Sequence, residues 1–399
     1  MGLQDTPVAD RVCIGFFGKR NSGKSSLVNA VLEQSISVVS DVAGTTTDPV
    51  SKTMELLPIG PVLLVDTAGI DDEGEIGQLR VEKTYRIFDK ANIAVIVTDA
   101  AEEVLTEERK LAEQLEKRGI PFLIAVNKSE ELTDIQRKTW EAFCPERRHV
   151  YVSAKKGMGI GELKNALGSM GMTTKKERPL VSDLVKKGDL VILVTPVDAS
   201  APKGRLILPQ QQTIRELLTT GAVTMVVQPD ELAGALENSV KPPALVITDS
   251  QVFEQVSRIV PEGIRLTSFS ILFARYKGIL WESVEGARML DELRDGDTVL
   301  ISEGCTHHRQ CGDIGTDKLP AWILKYTGKK LQFQWTAGTQ FPSGLSGIRL
   351  VIHCGGCMLS EKEMACRSET ARKENVAMTN YGTAIAHMNG ILERSIKHI

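Results

Sequence analysis

The sequence predicts an α/β protein of three domains with mainly parallel sheets. Three observations carry that expectation. Short β-rich apolar runs alternate with amphipathic stretches along most of the chain, as parallel βα units do. A glycine-rich loop follows the first apolar run and opens a helical pattern. A polar, aperiodic stretch, Thr173-Thr-Lys-Lys-Glu-Arg-Pro179, then separates this first segment from the rest, and its proline stop marks a linker.

In the first segment, residues 1–172, the runs Val12–Phe17, Val62–Val65, Ile93–Val97 and Phe122–Val126 read as buried strands. The second, residues 180–263, repeats the alternation on a smaller scale. Val191–Val194, Val223–Val227 and Leu245–Thr248 read as strands, with helices over Gln210–Thr220, Pro229–Asn238 and Val252–Val260. No catalytic constellation falls in it, so a subunit contact or a spacer is the expected role. In the third, residues 264–399, the strand Thr298–Ser302 runs into Cys305 and the strand Ile348–His353 runs into Cys354. A helix is expected from Ser360 to about Asn375, with another closing the segment. Both cysteine-bearing segments thus sit at the carboxyl ends of strands, where open α/β sheets form their ligand crevices.

Composition excludes several classes. No apolar run approaches the roughly 20 residues that span a bilayer, and the opening residues lack the pattern of a secretion signal. A cytoplasmic protein without a membrane partner is expected. The formal net charge is −3, from 48 basic and 51 acidic residues, which argues against nucleic acid as a partner because phosphate binding draws on a basic surplus. Of seven cysteines, Cys305, Cys311, Cys354, Cys357 and Cys366 cluster late in the chain, which favours metal ligation or redox work over disulfides. Cys13 and Cys144 are isolated, and Cys13 reads as a small core residue.

The loop Gly18-Lys-Arg-Asn-Ser-Gly-Lys24-Ser25 has the strand-before, helix-after setting that a phosphate-binding loop needs. Backbone amides from Gly18 through Asn21, Ser22 and Gly23 to Ser26 are placed to cradle phosphates, with Lys24 at the β/γ oxygens and Ser25 on Mg²⁺. Asp66-Thr-Ala-Gly69 follows an apolar strand; Asp66 suits the Mg²⁺ shell and the Gly69 amide a γ-phosphate. The hydroxyl-rich loop Ala43-Gly-Thr-Thr-Thr-Asp48 is placed to close over Mg²⁺, with Thr46 as its ligand. Asn127-Lys128-Ser129-Glu130 and Ser153-Ala154-Lys155 end two further strands.

These five elements, in this order, resemble the five boxes of the translation-factor-like GTPases, nearest the tRNA-modification and Era-type branch. The resemblance implies GTP as ligand, Asn127, Lys128 and Glu130 as guanine readers, and Lys24, Asp66, Gly69 and Asn21 as the hydrolytic set. Two positions depart from the pattern. Glu130 stands where the guanine-reading box ends in aspartate, and Ile70 stands where Ras-like enzymes place a water-orienting glutamine. GTPases of this kind with asparagine at the position of Asn21 bind K⁺ beside the phosphates, so the resemblance implies slow, K⁺-stimulated hydrolysis. The plainer role for Asn21 is to stabilise the turn.

Cys305, His307, His353, Cys354 and Cys357 supply five soft or borderline ligands. Their chemistry suits an iron–sulfur cluster and equally a Cys3His zinc site. A catalytic dithiol is a third option if Cys354-Gly-Gly-Cys357 opens a helix, whose N-terminus would lower a thiol pKa.

The order of domains, with Cys305-Thr-His307 and His353-Cys-Gly-Gly-Cys357 in the last, resembles the [FeFe]-hydrogenase maturation GTPases (HydF). The middle stretch from Pro202 to Arg215 shares the likeness. The resemblance implies a [4Fe-4S] cluster on Cys305, Cys354 and Cys357, with His307 or His353 as fourth ligand or just outside the ligand shell, and a homodimer formed through the middle domain. It implies a scaffold that receives a diiron precursor from radical-SAM hydrogenase maturases and delivers it to apo-[FeFe]-hydrogenase. The competing expectation is an RNA- or ribosome-associated GTPase with a zinc-stabilised C-terminal domain.

Overall fold

A computed structural model of the chain describes residues 10–33, 41–42, 50–71, 84–101, 106–143, 148–174, 178–197, 206–304, 314–338, 341–342 and 344–399. The chain divides between Glu177 and Arg178 into two compact units.

The first unit is built on strands β1 (Val12–Phe17), β2 (Asp41–Val42), β3 (Val50–Leu56), β4 (Gly60–Asp66), β5 (Ile93–Asp99), β6 (Phe122–Asn127) and β7 (His149–Tyr151). They form one mixed sheet in the order β2-β3-β4-β1-β5-β6-β7. β1 and β4 to β7 run parallel, while β2 and β3 join antiparallel at one edge. Central strands must be apolar on both faces, and β1 is buried along its whole length. One face packs under Leu27, Val31, Leu163 and Leu167. The other packs under Phe88, Leu111, Leu115 and Trp140. β3 escaped the sequence reading because it is amphipathic: Met54 and Leu56 are buried while Val50 and Glu55 face out.

The second unit holds two four-stranded sheets whose pairings are all parallel. β8 (Leu190–Val194), β9 (Val223–Val227), β10 (Leu245–Thr248) and β11 (Leu266–Ser268) form the order β11-β10-β8-β9. This sheet takes its last strand from beyond residue 263. β12 (Thr298–Glu303), β13 (Gln332–Ala337), β14 (Ile348–His353) and β15 (Ala377–Asn380) form the order β13-β12-β14-β15.

The two sheets of this unit share a core. Ile192, Val194 and Val246 of one cluster with Leu300, Val351 and Met378 of the other. Between them lies the helix Phe269–Tyr276, apolar on most sides, with Phe269, Ile271, Leu272, Phe273 and Ala274 buried, as a helix enclosed between layers must be. The helix Leu280–Arg288 presses its backbone against β15: a Cβ on Gly286 would fall 2.1 Å from the Met378 carbonyl oxygen. In the other sheet β9 is the last strand, with no second neighbour strand among the described residues and with Val223, Met225 and Val226 exposed. Among the described residues no helix is long and apolar enough to cross a membrane.

Candidate nucleotide and metal sites

The loop after β1 is wound around its own donors and acceptors. Gly18 and Gly23 adopt φ of 150° and 88°, and the helix Lys24–Glu33 begins at once. Lys24 is buried, and its Nζ donates to the carbonyls of Gly18 (3.0 Å) and Lys19 (2.6 Å). Ser22 is buried, and its Oγ has no hydrogen-bond partner among the described residues. Asn21 is exposed at φ 61°, a left-handed conformation that asparagine tolerates better than most residues. That geometry fits the turn role without touching the K⁺ role.

Asp66 ends β4 beside this loop. Burial raises its carboxyl pKa above the usual range, against a hydrogen bond from Ser25 and the charge of Lys24. Its Oδ1 is buried without a hydrogen-bond partner among the described residues. A buried carboxylate oxygen left in this state is destabilising unless a cation or donor satisfies it, so Ser25 and Asp66 fit a Mg²⁺ site. Thr46 lies outside the described residues. Gly69 packs tightly, since a Cβ there would come 2.8 Å from the Arg20 amide nitrogen. Ile70 packs against the core cluster around Phe17 and Phe88 and has no polar group to orient water.

The guanine boxes are joined to the phosphate loop through Asn127. Its Nδ2 donates to the Ser22 carbonyl (3.0 Å), and its Oδ1 accepts from the Ala154 amide (3.1 Å). Lys128 stands at φ 60° with Nζ 2.5 Å from Asp99 Oδ2. Ser153 donates to the Glu130 carboxylate, which holds that acid below its usual pKa. The remaining oxygen, Oε2, is buried with no hydrogen-bond partner among the described residues. Lys155 follows Ala154 in the same loop, and Ser153 Oγ also accepts from the Lys156 amide (3.1 Å). Sequence reading missed Glu108. Only 1% exposed, it lies 3.7 Å from Lys19 of the phosphate loop and 3.4 Å from Thr98 Oγ1. In sequence it looks like any acid in a helix's first turn.

The second candidate centre forms at the carboxyl ends of β12 and β14. These strands are neighbours, with Ser302 opposite His353. After β12 the chain places β13 on one side, while β14 and β15 lie on the other, so the crevice between them is a topological switch point. The Cys354 amide donates to the Ser302 carbonyl (2.8 Å). Cys354 Sγ accepts from the amides of Gly304 (3.0 Å) and Gly356 (3.4 Å). Gly304 is the residue before Cys305. Cys305, His307 and Cys311 lie outside the described residues.

Cys354 and Cys357 form no disulfide among the described residues, and each is half-buried. Burial pushes the Cys357 thiol pKa up, opposed by the Lys277 ammonium. The motif does not open a helix: residues 354–360 form loop and turn, and the helix Glu361–Lys373 starts after them, capped by Ser360 Oγ on the Glu363 amide. That removes the footing of the dithiol reading, which needed the Cys354-to-Cys357 motif itself to open a helix. Among the described residues no three His, Cys, Asp or Glu side chains converge on one metal position. The thiols that are described, with amides aimed at Cys354 Sγ in a half-buried crevice, have the donor chemistry of an iron–sulfur site.

His353 is placed differently from the expectation of a free ligand. It is fully buried, its Nδ1 lies 2.8 Å from the Cys354 carbonyl oxygen, and its Nε2 lies 2.8 Å from Arg367 Nη1. Burial and the Arg367 charge lower its pKa to about 3, so it is neutral at ordinary pH. Cys366, the neighbour of Arg367, is half-buried in the helix.

Comparison with known proteins follows the same division. The hydrogen maturase F dimerization domain matches residues 180–278, and the hydrogen maturase F tetramerization domain matches residues 281–398. The chain belongs to the HydF family. Its first unit carries the third match, a domain described as a 50S ribosome-binding GTPase, over residues 13–128. The two HydF domain descriptions indicate a homo-oligomer. Among curated relatives, a tRNA modification GTPase MnmE of Heliobacterium modesticaldum is 35% identical over 155 residues, covering 38% of this chain and 33% of that protein. A GTPase Der of Wolinella succinogenes is 36% identical over 178 residues, covering 41% and 36%. The HydF-family chain thus spans about a third of the length of these relatives. A solved structure of an Era variant from Aquifex aeolicus, bound to GDP and AlF4⁻, aligns with TM-score 0.35 and 17% identity over 54% of this chain and 92% of its own.

Proposed function

We propose that this HydF-family chain is a GTP-hydrolysing scaffold for [FeFe]-hydrogenase maturation. It takes a diiron precursor as cargo from radical-SAM maturases and passes it to the apo-hydrogenase. One observation carries the reading: the segment leading into Cys305 and the Cys354-to-Cys357 loop meet at one switch-point crevice in a HydF domain, on a chain that also bears a phosphate-binding loop. Residues 1–172, 180–263 and 264–399 are the proposed GTP-binding, dimerisation and cluster-binding regions, with the middle sheet drawing in β11 from the third. A cytoplasmic homodimer is the proposed basal assembly, with β9 as its contact: an exposed apolar edge strand is a template for pairing.

In the nucleotide site, Lys24 neutralises the β/γ phosphates, and Ser25, Thr46 and Asp66 hold Mg²⁺. The Gly69 amide reads the γ-phosphate, and Asn127, Lys128, Glu130 and the loop Ser153–Lys155 read guanine. Without a polar side chain at position 70, charge relief falls to Lys24 and to K⁺ held by Asn21, so hydrolysis is slow. In the metal site Cys305, Cys354 and Cys357 are the proposed ligands of a [4Fe-4S] cluster, which supplies an iron able to meet a bridging group of the cargo. Amides of Gly304 and Gly356 at Cys354 Sγ stabilise thiolate charge, as hydrogen bonds to cluster sulfurs do.

GTP state is proposed to gate partner exchange. A reconstituted maturation assay tests it: the Lys24→Ala protein should lose nucleotide-dependent transfer, and equal transfer under every nucleotide condition would end the gating proposal. The RNA- or ribosome-associated reading, with zinc in place of the cluster, draws on the first unit alone and leaves the two HydF domains unexplained.

A further inference from the structure

His353 presents a choice that its neighbours settle. Its Nδ1 faces a carbonyl oxygen, that of Cys354, at 2.8 Å. A carbonyl only accepts, so Nδ1 carries the proton. Its Nε2 faces Arg367 Nη1 at 2.8 Å. A guanidinium only donates, so Nε2 offers its lone pair to Arg367. Both ring nitrogens are then used.

Arg367 is itself fixed on several sides. It is 4% exposed, its Nη2 donates to the Gly338 carbonyl (2.7 Å), and Glu363 one turn earlier lies 3.6 Å away. Its guanidinium stacks over Phe341 at 5.2 Å. Ser360 caps the helix at Glu363, which sets the phase of both charged residues. A continuous chain therefore runs from the helix cap through Glu363 and Arg367 to the imidazole, and from there to the backbone of Cys354.

From this geometry we infer that Arg367 is a positioning residue of the thiolate site: it fixes His353 as the Nδ1–H tautomer, so the imidazole props the Cys354 peptide and is withheld from the metal. This rests on the cluster reading for its consequence. A histidine becomes a metal ligand through a free ring nitrogen, and taking Nε2 here would cost the buried Arg367 Nη1 its imidazole acceptor, which is unfavourable. The fourth iron position is thereby left to a group other than His353. The buried Arg367 charge also acts on Cys354, and a nearby cation favours the more reduced, more negative cluster.

Two measurements test it. The first needs no metal: nitrogen-15 NMR of histidine-labelled protein, with the His353 signals identified by their loss in His353→Gln. The wild type should show Nδ1 protonated and Nε2 as acceptor, and Arg367→Met should abolish that pattern. An Nε2-protonated wild type, or a tautomer indifferent to Arg367→Met, overturns the proposal. The second uses the anaerobically reconstituted protein, with dichroism and oligomeric state confirming that each variant is folded. Arg367→Met should lower the cluster's midpoint potential, Arg367→Lys should restore most of it, and His353→Gln should leave the pulsed-EPR nitrogen couplings of any bound ligand unchanged. Loss of a directly bound nitrogen in His353→Gln, or an unmoved potential in Arg367→Met, contradicts it. A wild type that takes up no iron ends the cluster reading alone, and the tautomer measurement still decides the role of Arg367.

Discussion

Glu130 offers a quantitative test of the nucleotide site. Its carboxylate receives Ser153 on one side and leaves Oε2 buried without a hydrogen-bond partner among the described residues. Guanine presents an N1–H and a 2-amino group, the donors such an oxygen lacks. A hydrogen bond to a charged group contributes about 1.5–3 kcal/mol. Replacing Glu130 with alanine removes up to two of them, so a loss of about 3–6 kcal/mol in GTP binding is expected. That is roughly a 140- to 20,000-fold rise in Kd, at 1.4 kcal/mol per tenfold. ATP binding, which uses none of these bonds, should change little. Inosine triphosphate keeps N1–H but lacks the 2-amino group, so it should fall about midway. Glu130→Asp shortens the reach by a methylene and should fall between wild type and alanine. Displacement of a fluorescent GDP by each nucleotide measures all four. If Glu130→Ala binds GTP within about threefold of wild type and still prefers it over ATP, Glu130 does not read guanine.

Other outcomes follow from the same geometry. Gly23→Ala forces a side chain into φ 88° and sets its Cβ 2.2 Å from Asn127 Nδ2. Backbone strain of about 1–3 kcal/mol plus the lost bond to Ser22 should weaken GDP binding at least tenfold by calorimetry. Val226→Lys on the edge strand β9 should shift the oligomer toward smaller species in light scattering, and an unchanged mass would remove β9 from the interface. Asp291 is held below its usual pKa first by the hydrogen bond from Tyr326 (2.6 Å) and then by His387 (2.9 Å). A depressed carboxyl pKa adds stability that is full above the unfolded value of about 3.9 and is lost as pH falls through the lower folded value. Asp291→Asn should therefore lower the melting temperature at pH 6, and its difference from wild type should shrink as pH falls below about 3.9. Since Asp291 is half exposed, less than about 1 kcal/mol is at stake.

Motifs and central strands were legible because their signal is local. β1, β10 and β14 coincide with the apolar runs Val12–Phe17, Leu245–Thr248 and Ile348–His353, and the edge strand β9 coincides with the run Val223–Val227. A central parallel strand is apolar on both faces and so stands out in any window. β3 and β13 were missed because each is half polar: β3 exposes Val50 and Glu55, and in the edge strand β13, Gln332, Gln334 and Trp335 are exposed. β11 was missed because three residues are too few to show a period. The reading of residues 354–357 as a helix start failed for a local reason, since Gly356 takes φ 63° and Ser360 caps a later helix. Arg367 and Glu108 could not be found from sequence at all. Each is a charged residue on an amphipathic helix, and only the tertiary partners, His353 for one and Lys19 for the other, distinguish it from a solvated side chain.

The central claim concerns the metal that Cys305, Cys354 and Cys357 hold. Anaerobically purified protein should be brown, contain iron and sulfide in equal amounts near the about four expected of a cubane, and after reduction give the EPR signal of a [4Fe-4S]⁺ cluster. Replacing any one of the three cysteines by alanine should abolish or sharply reduce that signal, while Cys366→Ala leaves it intact. A colourless protein with one zinc per chain, or a cluster that survives all three replacements, would contradict the account.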